Sequence, residues 1–141
     1  MTKEQKNLLL KDLCARLPYG VKIAMPGLWD NKITIEPLTE IFKGDDDLFR
    51  VNGNGHCIEY IKPYLFPMSS MTEEQKKELR NLGWYFDNFE INNIDEFNTN
   101  NEYIEHSDCY ILIDWLNKNY FDYRGLIPME LAIDATGLNI Y

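Results

Sequence analysis

The sequence lacks the features of exported and membrane-spanning proteins. Its first ten residues hold only three consecutive leucines before Lys11 and Asp12, too short an apolar run for a signal peptide. No later apolar stretch approaches the roughly eighteen residues that cross a bilayer. Cysteine is also scarce, because Cys14, Cys57 and Cys109 form an odd set without close pairing. We therefore expect a cytoplasmic protein with three free thiols, buried as free cysteines commonly are.

Basic residues are missing from one long part of the chain. The net charge is −9, yet residues 1–80 contain 12 Lys and Arg against 12 Asp and Glu, whereas residues 81–141 contain 2 against 11. Between residues 81 and 117 there is no Lys or Arg at all. Such a negative field disfavours nucleic acid phosphates and anionic lipid, and favours a basic protein surface. We expect no direct nucleic-acid partner and no membrane partner.

The acidic run has two interpretations. It is either a solvated face that keeps the protein soluble, or a surface that binds a basic partner. The candidate binding residues of this run lie in its irregular middle and are Asp95, Glu96, Glu102 and Glu105.

The length and composition of the chain indicate a single folded domain. At 141 residues, with 45% apolar and 13% aromatic residues, the chain is long and apolar enough for one packed core. We predict a single domain over 1–141, with an N-terminal helix and small sheet in 1–66 and a helical, acidic half in 67–141.

Three helices have clear start or face signals. Thr2 with Gln5, and Thr72 with Gln75, have capping-box spacing, which predicts helices over about 3–16 and 72–82. The first presents a leucine stripe to the core, and its other face is expected to be solvated. A third helix is predicted over about 108–119, and Pro128 suggests a fourth, short one over Pro128–Ala135.

Between the first two helices the pattern is that of strands. Apolar and polar residues alternate over 21–25, and strand-like runs continue at 32–36, 48–51 and 57–61, with glycine-rich and Asp-rich turns between them. Pro63 and Pro67 are expected to interrupt regular structure, and 84–106 reads as a loop with short extended pieces. The fold class is therefore α+β, with a small antiparallel sheet or half-barrel of three to five strands and two or three helices in the C-terminal half.

Catalytic and metal-binding patterns are weak. His56 precedes Cys57, and His106 lies three residues before Cys109, but neighbouring residues in a strand point to opposite faces and no paired short-spacing ligands occur. We predict no structural zinc, no Cys/His nucleophile and no cofactor. The acidic segment contains no calcium-loop or His-Glu-x-x-His pattern. A non-catalytic role is therefore favoured over an enzymatic one.

An aromatic block follows the third helix. Trp115, Tyr120, Tyr123 and Arg124 have the composition of protein-binding hot spots and are a second candidate surface. The alternative is a buried corner between helix and turn, in which Arg124 pairs with Asp122 or Asp114.

Three segments carry a family resemblance: LCARLPYGVKI at 13–23, KPYLFPMSSMTEEQ at 62–75 and DWLNKNYFDYRGLIPMELA at 114–132. They resemble an uncharacterised family of small proteins encoded by phages, prophages and mobile elements of gut bacteria such as Bacteroides. The resemblance implies a setting, the cytoplasm of a bacterial host, and neither a reaction nor site residues. The acidic segment from about 87 to 108 is longer here than in that family.

Three functions are compatible with these observations. The first is a binding protein whose acidic C-terminal half engages a basic protein surface, as a modulator of a host factor. The second is a small metal-dependent hydrolase that uses carboxylates of the acidic segment. The third is a structural or assembly protein whose sheet pairs between copies through an exposed edge.

Overall fold

The computed structural model describes residues 1–53, 55–82 and 106–141, and in them the chain has the predicted α+β class. The helices are α1 (Lys3–Arg16), α2 (Glu73–Asn81) and α3 (His106–Lys118). The strands are β1 (Lys22–Pro26), β2 (Ile33–Pro37), β3 (Ile41–Lys43), β4 (Phe49–Val51), β5 (His56–Cys57), β6 (Lys62–Leu65) and β7 (Ile133–Asp134). Short 3-10 turns occupy Leu17–Tyr19, Ile58–Tyr60 and Met68–Ser70.

Both predicted capping boxes are confirmed. The Thr2 hydroxyl accepts a hydrogen bond from the Gln5 N–H at 3.1 Å, and the Gln5 side chain accepts one from the Thr2 N–H at 2.9 Å. Thr72 and Gln75 repeat the exchange at 3.2 and 2.9 Å. Each box satisfies two backbone donors that the first turn of a helix leaves open, and so fixes where α1 and α2 begin.

Within the described residues the strands form two sheets, neither of which closes into a barrel. One sheet has four strands in the order β2-β1-β6-β7, in which β1 pairs antiparallel with β2 and β6, and β7 runs parallel to β6. The other is an antiparallel sheet of β3, β4 and β5. The strand-like runs of the sequence located β1, β2 and β4 and overlap β5 at Cys57, but they did not divide the strands between two sheets, and they missed β3, β6 and β7.

Of the three apolar clusters in the described part of the fold, two are large, and the third consists of Ala24, Tyr64 and Ala135. In the first, Leu9 and Leu13 of α1 pack with Ile23 of β1 and Leu65 of β6, all fully buried. The second lies around α2 and α3 and consists of Met71, Leu79, Leu112, Trp115, Leu116, Phe121 and Tyr123. The leucine stripe of α1 therefore faces the core as predicted.

The fourth helix, predicted over Pro128–Ala135, is wrong. One turn forms, in which the Glu130 N–H bonds to the Ile127 carbonyl at 2.9 Å, but Glu130 then takes a left-handed conformation with φ 59°. Left-handed backbone ends a right-handed helix. Ile133 and Asp134 instead run beside Tyr64 and Leu65 as a parallel strand.

The strand predicted over 57–61 is also wrong in its extent, because Ile58–Tyr60 is a 3-10 turn. The regular strand comes later and contains Pro63, which was expected to interrupt it. Pro63 lies opposite Ile23 of β1, but alternation along the antiparallel ladder makes this a pair without hydrogen bonds. On its other side β7 pairs with β6 only from Tyr64 onward, so the N–H that proline lacks has no partner strand to bond.

The loop predicted over 84–106 lies almost wholly outside the described residues. The described residues contain no helix that is long and apolar enough to cross a membrane.

Candidate functional site

The three segments that carry the family resemblance meet at one place in the fold. The Phe66 N–H donates to the Tyr120 carbonyl at 2.9 Å, and the Asp122 N–H donates to the Phe66 carbonyl at 2.8 Å. From α1, the Arg16 guanidinium donates to the Phe121 carbonyl at 2.7 Å. Side chains from distant parts of the sequence thereby converge beside residues 120–124.

A buried charge cluster, formed by Asp12, Arg16 and Arg124, occupies this meeting point. Arg16 Nε donates to Asp12 Oδ2 at 2.8 Å and its Nη2 donates to Asp12 Oδ1 at 3.1 Å, with both side chains fully buried. Arg124 Nη1 donates to the same Asp12 Oδ1 at 2.9 Å, and its side chain is 14% exposed. One carboxylate therefore lies between two guanidinium groups, where charge-assisted bonds are strong.

Tyr123 lies against both guanidinium groups. Its ring centre is 5.4 Å from the guanidinium carbon of Arg16 and 4.5 Å from that of Arg124, within cation–π range. Its hydroxyl donates to Asn117 Oδ1 at 2.9 Å, and burial raises its pKa. The ring and the hydroxyl of Tyr123 therefore both make their contacts inside the protein.

Asp122 is not part of the charge cluster and instead stabilises the turn that follows it. Its two carboxylate oxygens accept the N–H groups of Leu126 and Ile127, each at 2.8 Å, which closes the turn around Gly125. Burial raises the pKa of this carboxyl, and the two backbone hydrogen bonds oppose that rise. The pairing of Arg124 with Asp122 or Asp114, expected for a buried corner, is therefore wrong, because the partner is Asp12.

The other aromatic candidates hold neighbouring elements together. Trp115 is 9% exposed, stacks on Phe121 with ring centres 5.6 Å apart, and donates from Nε1 to Glu78 of α2 at 3.1 Å. Tyr120 is half-buried and donates its hydroxyl to the Tyr19 carbonyl at 2.7 Å. Trp115 and Tyr123 thus leave little surface for a partner, while part of Tyr120 stays accessible.

Sequence reasoning missed the burial of Asp12 and Arg16, since the second face of α1 was expected to be solvated. The four-residue spacing of an acid and a base on a helix was the available signal, but the same spacing is common on exposed helix surfaces.

The Tyr141 hydroxyl bridges β1 and β6 at the point where their hydrogen-bonded ladder ends. These strands pair at Ala24 with Lys62 and at Ile23 with Pro63, so the next hydrogen-bonded pair along the ladder would be Lys22 with Tyr64. The Tyr141 hydroxyl lies there instead, accepting from the Lys22 N–H at 2.9 Å and donating to the Tyr64 carbonyl at 2.8 Å. Its ring stacks on Tyr120 with centres 3.8 Å apart.

Replacing Tyr141 with phenylalanine is expected to lower the free energy of unfolding by about 1–2 kcal/mol, because two backbone groups lose their partner. Burial raises the pKa of the Tyr141 hydroxyl above its ordinary value near 10. The folded state therefore holds its proton more tightly than the unfolded state, so this contribution is present below about pH 10 and is lost above it.

Urea unfolding of both proteins at pH 7 and pH 11 checks this expectation. The wild-type protein should lose more stability between the two values than Tyr141→Phe does, although buried Tyr123 leaves some loss in both. Tyr60→Phe, at an exposed position, is the control and should match wild type. Equal alkaline losses in Tyr141→Phe and wild type would contradict the assigned role.

The cysteine and histidine candidates do not come together in the described residues. Cys14 is exposed and Cys57 is half-buried, and both are free thiols, so the expectation of buried cysteines is wrong for Cys14. His56 Nε2 donates to the Pro26 carbonyl at 2.8 Å. The side chains of His106 and Cys109 lie outside the described part of the chain.

The four acidic binding candidates also lie outside the described residues; they are Asp95, Glu96, Glu102 and Glu105. Within the described ranges, no three His, Cys, Asp or Glu side chains are grouped as a metal ion requires.

The structure does describe both basic residues of the acidic half. Arg124 is bound to Asp12 beneath the surface, whereas Lys118 at the end of α3 is exposed. Asp114, Glu130 and Asp134 are exposed as well.

No protein-family model, no curated protein and no solved structure matches the chain.

Proposed function

We propose that the protein is a non-catalytic binding protein whose acidic C-terminal half engages a basic surface of another protein. What supports the proposal is the separation of charge, since 11 acidic and 2 basic residues lie in 81–141. The half that precedes it is balanced, so the two parts of the chain present different fields to a charged partner.

Arg124, one of the two basic residues of the acidic half, is largely enclosed. Its guanidinium is bound to Asp12, an acidic residue of α1, and therefore offsets a charge of the N-terminal half. Of the two basic residues in 81–141, Lys118 is the exposed one, against the exposed carboxylates of Asp114, Glu130 and Asp134. The described residues of the acidic half therefore expose three carboxylates and one ammonium group, so the separation of charge is kept at the surface that they form.

A mobile genetic element in a bacterial host is the setting that we propose, on the resemblance of the three segments. An acidic surface in that setting can compete with the phosphate backbone for a basic host protein, which gives a physical route to modulating a host factor.

Neutralising Asp95, Glu96, Glu102 and Glu105 to Asn or Gln is expected to slow association with a captured partner by about tenfold at low salt. Long-range attraction acts mainly on the association rate and is screened as salt rises, so the difference should shrink between about 50 and 500 mM salt. The measurement is affinity capture from bacterial lysate, followed by association kinetics with the captured protein at both salt concentrations.

The matched control neutralises four exposed acidic residues from residues 1–80, where acidic and basic residues are balanced: Glu4, Glu40, Asp45 and Glu74. It changes the net charge by the same amount and should affect the association rate much less. If both variants slow association equally, total charge rather than the acidic half is responsible. If neither does, the acidic half only keeps the protein soluble.

A further inference from the structure

Strand β2 forms an outer edge of the four-stranded sheet and carries exposed apolar side chains. Among the described residues, no strand pairs with the side of β2 that faces away from β1. Ile33 is 64% exposed and Ile35 is 49% exposed, although both belong to a regular strand. An open edge with exposed β-branched residues is a template for pairing with another strand.

The backbone of β2 has its free hydrogen-bonding groups at these two isoleucines. The ladder with β1 is bounded by two bonds, from the Leu38 N–H to the Val21 carbonyl at 2.8 Å and from the Gly27 N–H to the Lys32 carbonyl at 2.6 Å. Because bonding alternates along an antiparallel strand, the even-numbered residues of β2 bond to β1. The N–H and C=O groups of Ile33 and Ile35 therefore point outward.

The outward edge ends at Pro37. Proline has no N–H to donate, and the Pro37 carbonyl already accepts the side-chain amide of Asn52 at 2.8 Å. Four outward groups thus remain available over a short stretch, two from Ile33 and two from Ile35.

This stretch is complementary to itself. If two copies of β2 pair antiparallel about a two-fold axis at Thr34, Ile33 lies opposite Ile35 of the second copy, and all four outward groups of each strand are satisfied. In the same register Lys32 lies opposite Glu36 of the second copy, and the symmetry repeats this pairing. Opposite charges directly across a strand pair stabilise it.

Neighbouring registers are worse. An axis at Ile33 places Glu36 opposite Asp30 of the second copy, which brings two negative charges together. An axis at Ile35 places Ile33 opposite Pro37 of the second copy, where the donor is missing. The register centred on Thr34 is therefore favoured by both its charges and its hydrogen bonds.

We infer that β2 is a homodimerisation edge, where two copies of the chain join their four-stranded sheets through antiparallel pairing centred on Thr34. The side chains of Ile33 and Ile35 then extend the sheet face that contains buried Ala24, because Ile35 pairs with Ala24 in the ladder. A short strand buries far less than the roughly 800 Å² per partner of a stable interface. The dimer is therefore weak, with a dissociation constant on the order of 0.1–1 mM.

The experiment is sedimentation analysis of the full chain from about 10 µM to about 1 mM in about 150 mM salt, which screens repulsion between two chains of charge −9. Wild type should move from the mass of one chain, 16.7 kDa, towards that of two. Lys32→Glu and Glu36→Lys each place like charges opposite one another twice, so each should weaken self-association about tenfold or more.

Mixing the two single variants is the decisive arm. Lys32→Glu presents two negative positions and Glu36→Lys two positive ones, so the mixture should form a heterodimer at least as readily as wild type self-associates. Lys3→Glu, at an exposed helix position, makes the same charge change as Lys32→Glu and should not weaken the dimer. Circular dichroism confirms that each variant is folded.

Three results would overturn the inference. Wild type that stays monomeric at about 1 mM leaves the edge to a different partner. Self-association that neither single variant weakens places the contact elsewhere on the protein. Weakened single variants that do not associate when mixed exclude the register centred on Thr34. None of these results bears on the acidic surface, so this inference and the proposed function stand or fall separately.

Discussion

Replacing Asp12 with alanine is expected to lower the free energy of unfolding by about 3–5 kcal/mol, because the guanidinium groups of Arg16 and Arg124 then lose their shared carboxylate beneath the surface. Arg16 is fully buried, so water cannot replace the lost partner without opening the fold. In a chain of this size the melting temperature should fall by about 10 °C or more.

The chain contains a matched control for this substitution. Asp46 and Arg50 have the same four-residue spacing and the same bidentate contact, but they lie at the surface. The hydrogen bond from Arg50 holds the pKa of Asp46 well below its usual range, which shows a favourable pair without burial. Asp46→Ala should nevertheless shift the melting temperature far less than Asp12→Ala, because Arg50 is partly exposed to water whereas Arg16 is fully buried.

A triple variant separates the loss of attraction from the cost of a stranded charge. Asp12→Leu with Arg16→Met and Arg124→Met removes all three charged groups of the cluster and leaves none unpaired. It should be more stable than Asp12→Ala alone, since replacing a buried ion network by apolar side chains is often near neutral. If Asp12→Ala has little effect while the triple variant is strongly destabilised, the cluster is not the buried ion network described here.

The parts of this fold that sequence predicts are those whose causes are local. Thr2 with Gln5, and Thr72 with Gln75, satisfy each other's backbone groups within three residues, so the starts of α1 and α2 are visible in the chain itself. Strand β2 was located by its alternation in the same way.

The parts that were missed depend on distant partners. Arg16 donates a hydrogen bond to the Phe121 carbonyl, 105 residues away in the sequence, and Asp12 accepts one from Arg124, 112 residues away. The two-residue strand Ile133–Asp134 is extended beside the edge that Tyr64 and Leu65 offer, and its own sequence gives no strand signal. Contacts between residues so far apart in the sequence form only when the chain has folded.

The candidate binding surfaces show the same division. Ile33 and Ile35 have the alternation of core residues, and only the strand order reveals that they lie on an outer edge. Trp115 and Tyr123 have the composition of a hot spot, and only their packing reveals that they are largely buried.

Replacing Trp115 with alanine is expected to lower the free energy of unfolding by about 3–5 kcal/mol, as truncations of large core aromatics do. The indole stacks on Phe121 and its N–H reaches Glu78, so the variant loses the contact that ties α3 to α2 and leaves a cavity. Trp115→Phe keeps most of the ring and should cost much less. Thermal or urea unfolding provides the measurement.

Trp29→Ala is the matched control, since Trp29 is 97% exposed in the loop between β1 and β2. It removes the same side chain and should leave the melting temperature within about 1 °C of wild type, as changes at exposed positions usually do. Measuring at a few micromolar keeps any weak self-association out of the comparison. If instead Trp115→Ala unfolds like wild type, the indole is not part of the core, and Trp115 returns with Tyr120 as a surface that a partner can bind.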